Sequence, residues 1–184
     1  MERFLVLPGG GGGAALARCL ARQPGAARRH LRLRRAPLPN GAGVAFRRGE
    51  TMTVLGVGLD IVAVHRVTAL LARHGERFLS RCFADGEVRR RDGEHVAGLV
   101  AAKEACFKAL GTGWGGGGGG GDVVVEATAA GAPVLRLAGG AARRAALLGV
   151  TRQHVAISHD GGLAVAVVVL EGVAPARPQG GGGG

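Results

Sequence analysis

Tyrosine is absent from this chain of 184 residues, tryptophan occurs once and phenylalanine five times. That leaves no aromatic-rich strand on which nucleic-acid bases could stack. Cysteine is scarce as well: Cys19, Cys82 and Cys106 stand far apart, with no CxxC pair. This spacing argues against a disulfide framework and a zinc-ligand pattern, and it fits a reducing compartment. No apolar run reaches membrane-spanning length, since the longest, LAVAVVVL, is the size of a strand. The opening MERFLVLPGGGGG makes a poor secretory signal because Pro8 and five glycines interrupt it. An organellar transit peptide is normally rich in serine, and residues 1–50 contain none. A cytoplasmic protein is expected.

The scarcity of lysine says most about chemistry. The chain has 24 basic residues, and only Lys103 and Lys108 are lysines. A drift toward GC-rich codons explains abundant arginine, glycine and alanine, but not two lysines flanking Glu104. The net charge of +11 is uneven, because residues 1–51 carry ten arginines against Glu2 and Glu50. Arginine neutralises phosphate and releases counterions. A non-catalytic, basic nucleic-acid-binding module is therefore the alternative reading, weakened by the missing stacking surface.

Residues 1–51 show no sustained period and are punctuated by PGGGGG and APLPNGAG. They read as a disordered basic extension. Met52, the only methionine besides Met1, stands directly before the first regular element, and the working protein is expected to begin there. The tail, residues 172–184, also reads as disordered. Between them, residues 52–171 form one domain. TVLGVGLDIVAV alternates as a strand does, with Leu55, Val57, Leu59 and Ile61 on one face. Residues 64–74 have helical spacing with Gly75 as a stop, and ADGEVRRRDG suggests a short charged helix. Residues 94–110 form the strongest helix, closed by Gly111. DVVVEAT and PVLRLAG read as strands around a Gly131-Ala132 turn, and AARRAALLG as a short helix. QHVAISH and LAVAVVVLE flank Asp160-Gly161-Gly162, a hairpin signal. The last strand is apolar on both faces and is expected at the centre of its sheet. The class is α+β, a small, mainly antiparallel sheet packed on a long helix.

On the long helix, Val96, Leu99, Val100, Cys106, Phe107 and Leu110 share a face, and Lys103 falls in its middle. A charge drawn into an apolar surface must be paired or enter a polar cleft. The ordinary alternative is a surface pair between Glu104 and Lys108, worth about 0.3–0.5 kcal/mol, with Lys103 snorkelling. Cys106 on the apolar stripe reads as a buried thiol. Asp60 follows Gly56 and Gly58 on one strand face, where the missing side chains allow close approach. The bland reading leaves Asp60 facing water. Asp60 and Glu104 together make a hard-oxygen pair suited to Mg²⁺, with Lys108 as a point charge on a phosphate. The run Gly115 to Gly121 is followed by Asp122, so it is no Walker loop, and it reads as flexible. Ser158 and His159 point to opposite strand faces and form no dyad. A structural histidine is the default reading of His159, and a ligand contact the runner-up.

GVGLDIVAVHRV, AAKEACFKALGTG and HVAISHDGGLAVAVVVLE, in that order, resemble holo-acyl-carrier-protein synthase, the small 4′-phosphopantetheinyl transferase family. The resemblance covers residues 52–171 and implies a 4′-phosphopantetheinyl transferase-like fold. It implies Mg²⁺-dependent transfer of 4′-phosphopantetheine from coenzyme A to a serine of apo-acyl-carrier protein, in fatty acid biosynthesis. Adenosine 3′,5′-bisphosphate is then released. It makes Asp60 and Glu104 metal ligands and places Lys108 by the pyrophosphate. Gly111, Thr112, Gly113 and His159 become cofactor-binding residues. Glu104 and Lys108 become catalytic, with the serine proton going to Glu104 or to a water on the ion; residue types leave that open. Arg66, and with it Arg73 and Arg77, would dock the acidic carrier protein. A homotrimer with sites between subunits is implied, with no membrane role. Two departures bear on cofactor affinity: Leu99-Val100 stands where the family usually has Arg-Phe, and Ala132 where it commonly has lysine.

Overall fold

The computed structural model describes residues 52–113 and 119–173. The expected basic extension, the proposed start at Met52 and most of the expected tail lie outside those residues or are not decided by them. Along the chain come β1 (Thr53–Ala63), α1 (Val64–Cys82), α2 (Gly93–Ala109), β2 (Val123–Ala127) and β3 (Pro133–Leu137), followed by α3 (Gly139–Leu148), β4 (Val150–Asp160) and β5 (Leu163–Gly172). Strand β5 runs one residue past the expected domain end. Val173 N–H then bonds to the Gly149 carbonyl at 3.2 Å.

Strands β1, β5 and β4 form an antiparallel sheet with β5 in the middle, and β2–β3 make a separate hairpin. This is the expected α+β arrangement, and the central place of β5 accounts for its two apolar faces. Gly161 and Gly162 form the β4–β5 turn with φ of +55° and +76°. A two-residue turn of that hand matches the strand twist, and only glycine adopts both angles easily.

Helix α2 is the core. Asp92 caps it, accepting a hydrogen bond from His95 N–H at 2.8 Å, and this bond holds the Asp92 carboxyl below its ordinary range. At the other end Gly111 adopts φ +67°. Its N–H bonds to the Lys108 carbonyl at 3.0 Å, and Thr112 N–H to that of Phe107 at 2.9 Å. Those two bonds close the helix in the reversed geometry that glycine permits. The apolar stripe expected on one face understates the burial, because all of Val96 to Phe107 is buried. Alanines at 97, 101, 102 and 105, which carry no periodic signal, let neighbours approach from the remaining sides.

Strand β1 makes the close approach expected at Gly56 and Gly58. Its apolar face, Val57, Leu59 and Ile61, is about half exposed, at 51%, 51% and 50%. The glycine face lies against α2 instead. A Cβ on Gly58 would overlap the Ala105 carbonyl oxygen, and one on Gly56 that of Ala109. Leu55 sits at a register shift and leaves the alternation.

Two local expectations need correction. ADGEVRRRDG is a turn and not a helix: Gly86 has φ +77°, and Glu87 folds inward, its carboxylate accepting from Ala84 N–H at 2.8 Å. Gly75 breaks the helical path with φ +43° and ψ −123°, yet α1 resumes and runs to Cys82. Phe78 and Leu79 are buried beyond the break, so packing restarts the helix.

Candidate active site

Asp60 projects from β1 toward α2 and is 5% exposed, so the water-facing reading fails. Its Oδ1 accepts from Lys108 Nζ at 2.8 Å. Lys108 Nζ also donates to the Leu59 carbonyl at 3.0 Å. Asp60 Oδ2 is buried with no hydrogen-bond partner among the described residues. Glu104, one turn before Lys108 on α2, is 8% exposed. Strand and helix run antiparallel at this contact, since Gly56 meets Ala109 and Gly58 meets Ala105. One further step puts Asp60 beside position 101, the side of the helix shared with Glu104 and Lys108 at 100° per residue. Gly111, Thr112 and Gly113 follow directly at the C-terminal end.

His159 stands apart from this group. The register aligns Asp60 with Ala166 and Ile157, and Val62 with Ala164 and His159. His159 is thus two strands across, roughly 10 Å, and two residues along from Asp60. A ring nitrogen, Nε2, lies 2.9 Å from the Glu94 carbonyl, and a Cβ on Gly98 would come within 2.7 Å of it. Arg66, Arg73 and Arg77 are exposed on α1.

Lys103 does not snorkel. It is fully buried and donates to Glu87 Oε2 at 2.9 Å and to the Gly120 carbonyl at 2.6 Å, with the Phe83 ring centroid 4.9 Å away. Glu87 Oε1 accepts from Val125 N–H at 2.9 Å. This hub ties α2 to the turn after α1, to β2 and to the end of the glycine run. Gly120 itself is buried, and a Cβ there would overlap the Cys82 carbonyl. The glycine run therefore ends in an anchored segment, whereas residues 114–118 lie outside the described ones. Burial raises the neighbouring Cys106 thiol to about 12, with Lys103 opposing. That suits a packed thiol and not a nucleophile.

A cleft of about 250 Å³ opens at the N-terminal half of α2, between the β2–β3 hairpin and the end of β4. It is bordered by Arg89, His95, Leu99, Glu126, Pro133 and His159, among others. It reaches His159 and Leu99 but neither Asp60 nor Glu104. Burial lowers the His95 pKa, and Arg90 lowers it further. Glu87, Arg89 and His95 escaped the sequence reading. A lysine on an apolar stripe demands a buried acid partner, but nothing in the spacing selects Glu87 among the acids.

The family model described as the 4′-phosphopantetheinyl transferase superfamily matches residues 56–168. Holo-acyl-carrier-protein synthase of Solidesulfovibrio magneticus is 45% identical over 122 residues, covering 65% of this chain and 99% of that protein. The synthase of Anaeromyxobacter dehalogenans is 46% identical over 130 residues, covering 66% and 99%. Among solved structures, Helicobacter pylori holo-acyl-carrier-protein synthase in complex with coenzyme A superposes with a TM-score of 0.57. It is 31% identical, and the match covers 62% of this chain and 98% of that one. With motifs, fold and relatives in agreement, the chain belongs to the 4′-phosphopantetheinyl transferase superfamily, among the holo-acyl-carrier-protein synthases.

Proposed function

We propose that this protein transfers 4′-phosphopantetheine from coenzyme A to a serine of an apo-acyl-carrier protein. Adenosine 3′,5′-bisphosphate leaves, Mg²⁺ is required, and the product serves cytoplasmic fatty acid biosynthesis. The observation that carries the reading is the joint burial of Asp60 and Glu104 on facing elements, with Lys108 between strand and helix. The donors suit the ion: two carboxylates, one of whose oxygens, Asp60 Oδ2, is buried and accepts no hydrogen bond among the described residues. Mg²⁺ keeps several waters and takes its other ligands from phosphate. Once bound, it supplies neutralisation of charge on the pyrophosphate.

The chain's own residues do the rest. Lys108 fixes the orientation of Asp60 and sets a positive charge beside the carboxylate pair. That turn, free of side chains at both glycines, lets a phosphate approach the backbone. Displacement at phosphorus depends on positioning and charge neutralisation more than on a protein nucleophile. The attacking hydroxyl belongs to the carrier protein, and Cys106, with its raised pKa, is not needed. Glu104 is the carboxylate that takes the serine proton in this reading. His159 and the cleft beside it would hold an outlying part of coenzyme A. Arg66, Arg73 and Arg77 would steer the acidic carrier protein, which favours association rate over affinity.

Two observations support a homotrimer with shared sites. His159 and the carboxylate pair are separated within one protomer, and the outward face of β1 is apolar and half exposed. The test is a mass-shift assay of an apo-carrier protein incubated with coenzyme A, Mg²⁺ and the full chain. A gain equal to phosphopantetheine, lost on chelation and in Asp60→Ala and Glu104→Ala, is expected. No gain at millimolar coenzyme A would remove the proposal.

A further inference from the structure

The C-terminal end of α2 poses an electrostatic problem for any phosphate bound at Gly111–Gly113. Unsatisfied carbonyls give a helix C-terminus a partial negative charge, which repels anions. Lys108 is the nearest lysine, but its ammonium is already held by Asp60 Oδ1 and the Leu59 carbonyl, at 2.8 and 3.0 Å. A phosphate there calls for another cation.

Arg144 occupies that position. It lies on α3, half-buried, and its Nε donates to the Leu110 carbonyl at 3.0 Å. Its Nη2 is 3.7 Å from where a Cβ on Gly111 would be. Among the described residues no carboxylate pairs with it. The guanidinium thus caps α2 through Nε and brings Nη2 against the glycine turn. The helix that carries it is anchored at both ends. Asp122 Oδ2 accepts from Gly140 N–H at 2.9 Å, and Gly149 closes the C-terminus in the left-handed conformation. Ala141 and Ala145 are buried beneath.

We propose that Arg144 is a coenzyme A-binding residue: it braces the Leu110–Gly111 turn through Nε and binds a phosphate oxygen of the cofactor through its outer nitrogens. The assignment rests on the transferase reading above. Arginine suits the task because its planar fork presents several donors at once, and bonds to phosphate are charge-assisted.

The test uses the full chain and three variants, Arg144→Ala, Arg144→Gln and Arg144→Lys. Each is measured for transfer kinetics against coenzyme A and against apo-carrier protein, for coenzyme A binding by calorimetry, and for melting temperature. Glutamine keeps an amide donor for the cap without the charge, and lysine keeps the charge without the fork. Loss of a charge-assisted bond predicts that KM and Kd for coenzyme A rise by about tenfold or more in the Ala and Gln variants. The kcat and the KM for carrier protein stay within about twofold, as for binding shared by ground and transition states. Lysine recovers part of the affinity. Unchanged coenzyme A affinity in Ala and Gln, with only the melting temperature lowered, would make Arg144 a helix cap alone and overturn the assignment. Wild-type protein that neither transfers nor binds coenzyme A would instead overturn the transferase reading, and this assignment with it.

Discussion

Lys103 is fully buried, and its charge is met by Glu87, the Gly120 carbonyl and the face of Phe83. Removing one member of a buried pair leaves the other charge uncompensated, at a cost of about 3–5 kcal/mol. Lys103→Met is therefore expected to lower the unfolding free energy by that amount in urea titrations. Glu87→Gln should cost a comparable amount, because it strips the counter-charge from the buried Lys103 and turns an amide N–H toward groups that are themselves donors. A Lys103→Met protein within about 1 kcal/mol of wild type would show that the hub contributes little. His95 gives a pH signature. Its pKa is depressed from 6.5 by burial first, then by Arg90, with His159 and Arg89 adding and Asp92 opposing. The folded state thus favours the neutral ring. The associated stability is complete above pH 6.5 and is lost as pH falls below it toward the lowered folded value. Melting temperatures measured from pH 8 to pH 5 should fall less steeply below 6.5 in His95→Asn. Identical slopes would assign the pH response to other groups.

Strand β1 and helix α2 meet through backbone, and that contact brings Asp60 to α2. The packing leaves no room for a methyl group at Gly58, where a Cβ would overlap a carbonyl oxygen rather than a flexible side chain. Gly58→Ala should therefore destabilise by about 3 kcal/mol or more, at the upper end of overpacking costs. Gly121→Ala, where a Cβ meets nothing within 4 Å, is the matched control and should remain near wild type. Equal stability of the two variants in chemical denaturation would contradict the close approach. The same contact shows why the alternation of β1 was legible from its period, while its orientation was legible only from the glycines at 56 and 58. A period of two identifies a strand whichever face turns inward. Here the side-chain-free face is inside because the partner is a helix backbone.

The assembled molecule exposes a sheet surface that one protomer leaves uncovered. Val57, Leu59 and Ile61 on β1 stand in register with Val169, Val167 and Val165 on β5, and Leu163 at the strand's start is 43% exposed. On the proposed trimer this surface is the interface. A charge there would be desolvated without a partner, so Leu59→Glu should dissociate the trimer in sedimentation experiments. Transfer activity should fall with it if sites are shared between subunits. Wild-type protein that sediments as a monomer at micromolar concentration would remove the trimer from the proposal. Among the described residues no helix is long and apolar enough to cross a membrane.

Periodicity and glycine punctuation were enough to determine the strands, the long helix, its Gly111 stop, the central place of β5 and the α+β class. Those features are local, and they depend on repeat, turn chemistry and run length. The two lysines and Asp60 were conspicuous for the same reason, as charges in apolar settings. Only the tertiary structure decided their partners: Glu87 for Lys103, Asp60 for Lys108, and Arg144 for the Leu110 carbonyl. It also made ADGEVRRRDG a turn. Pairing depends on which segments the chain brings together across tens of residues, and no spacing along the sequence encodes that distance.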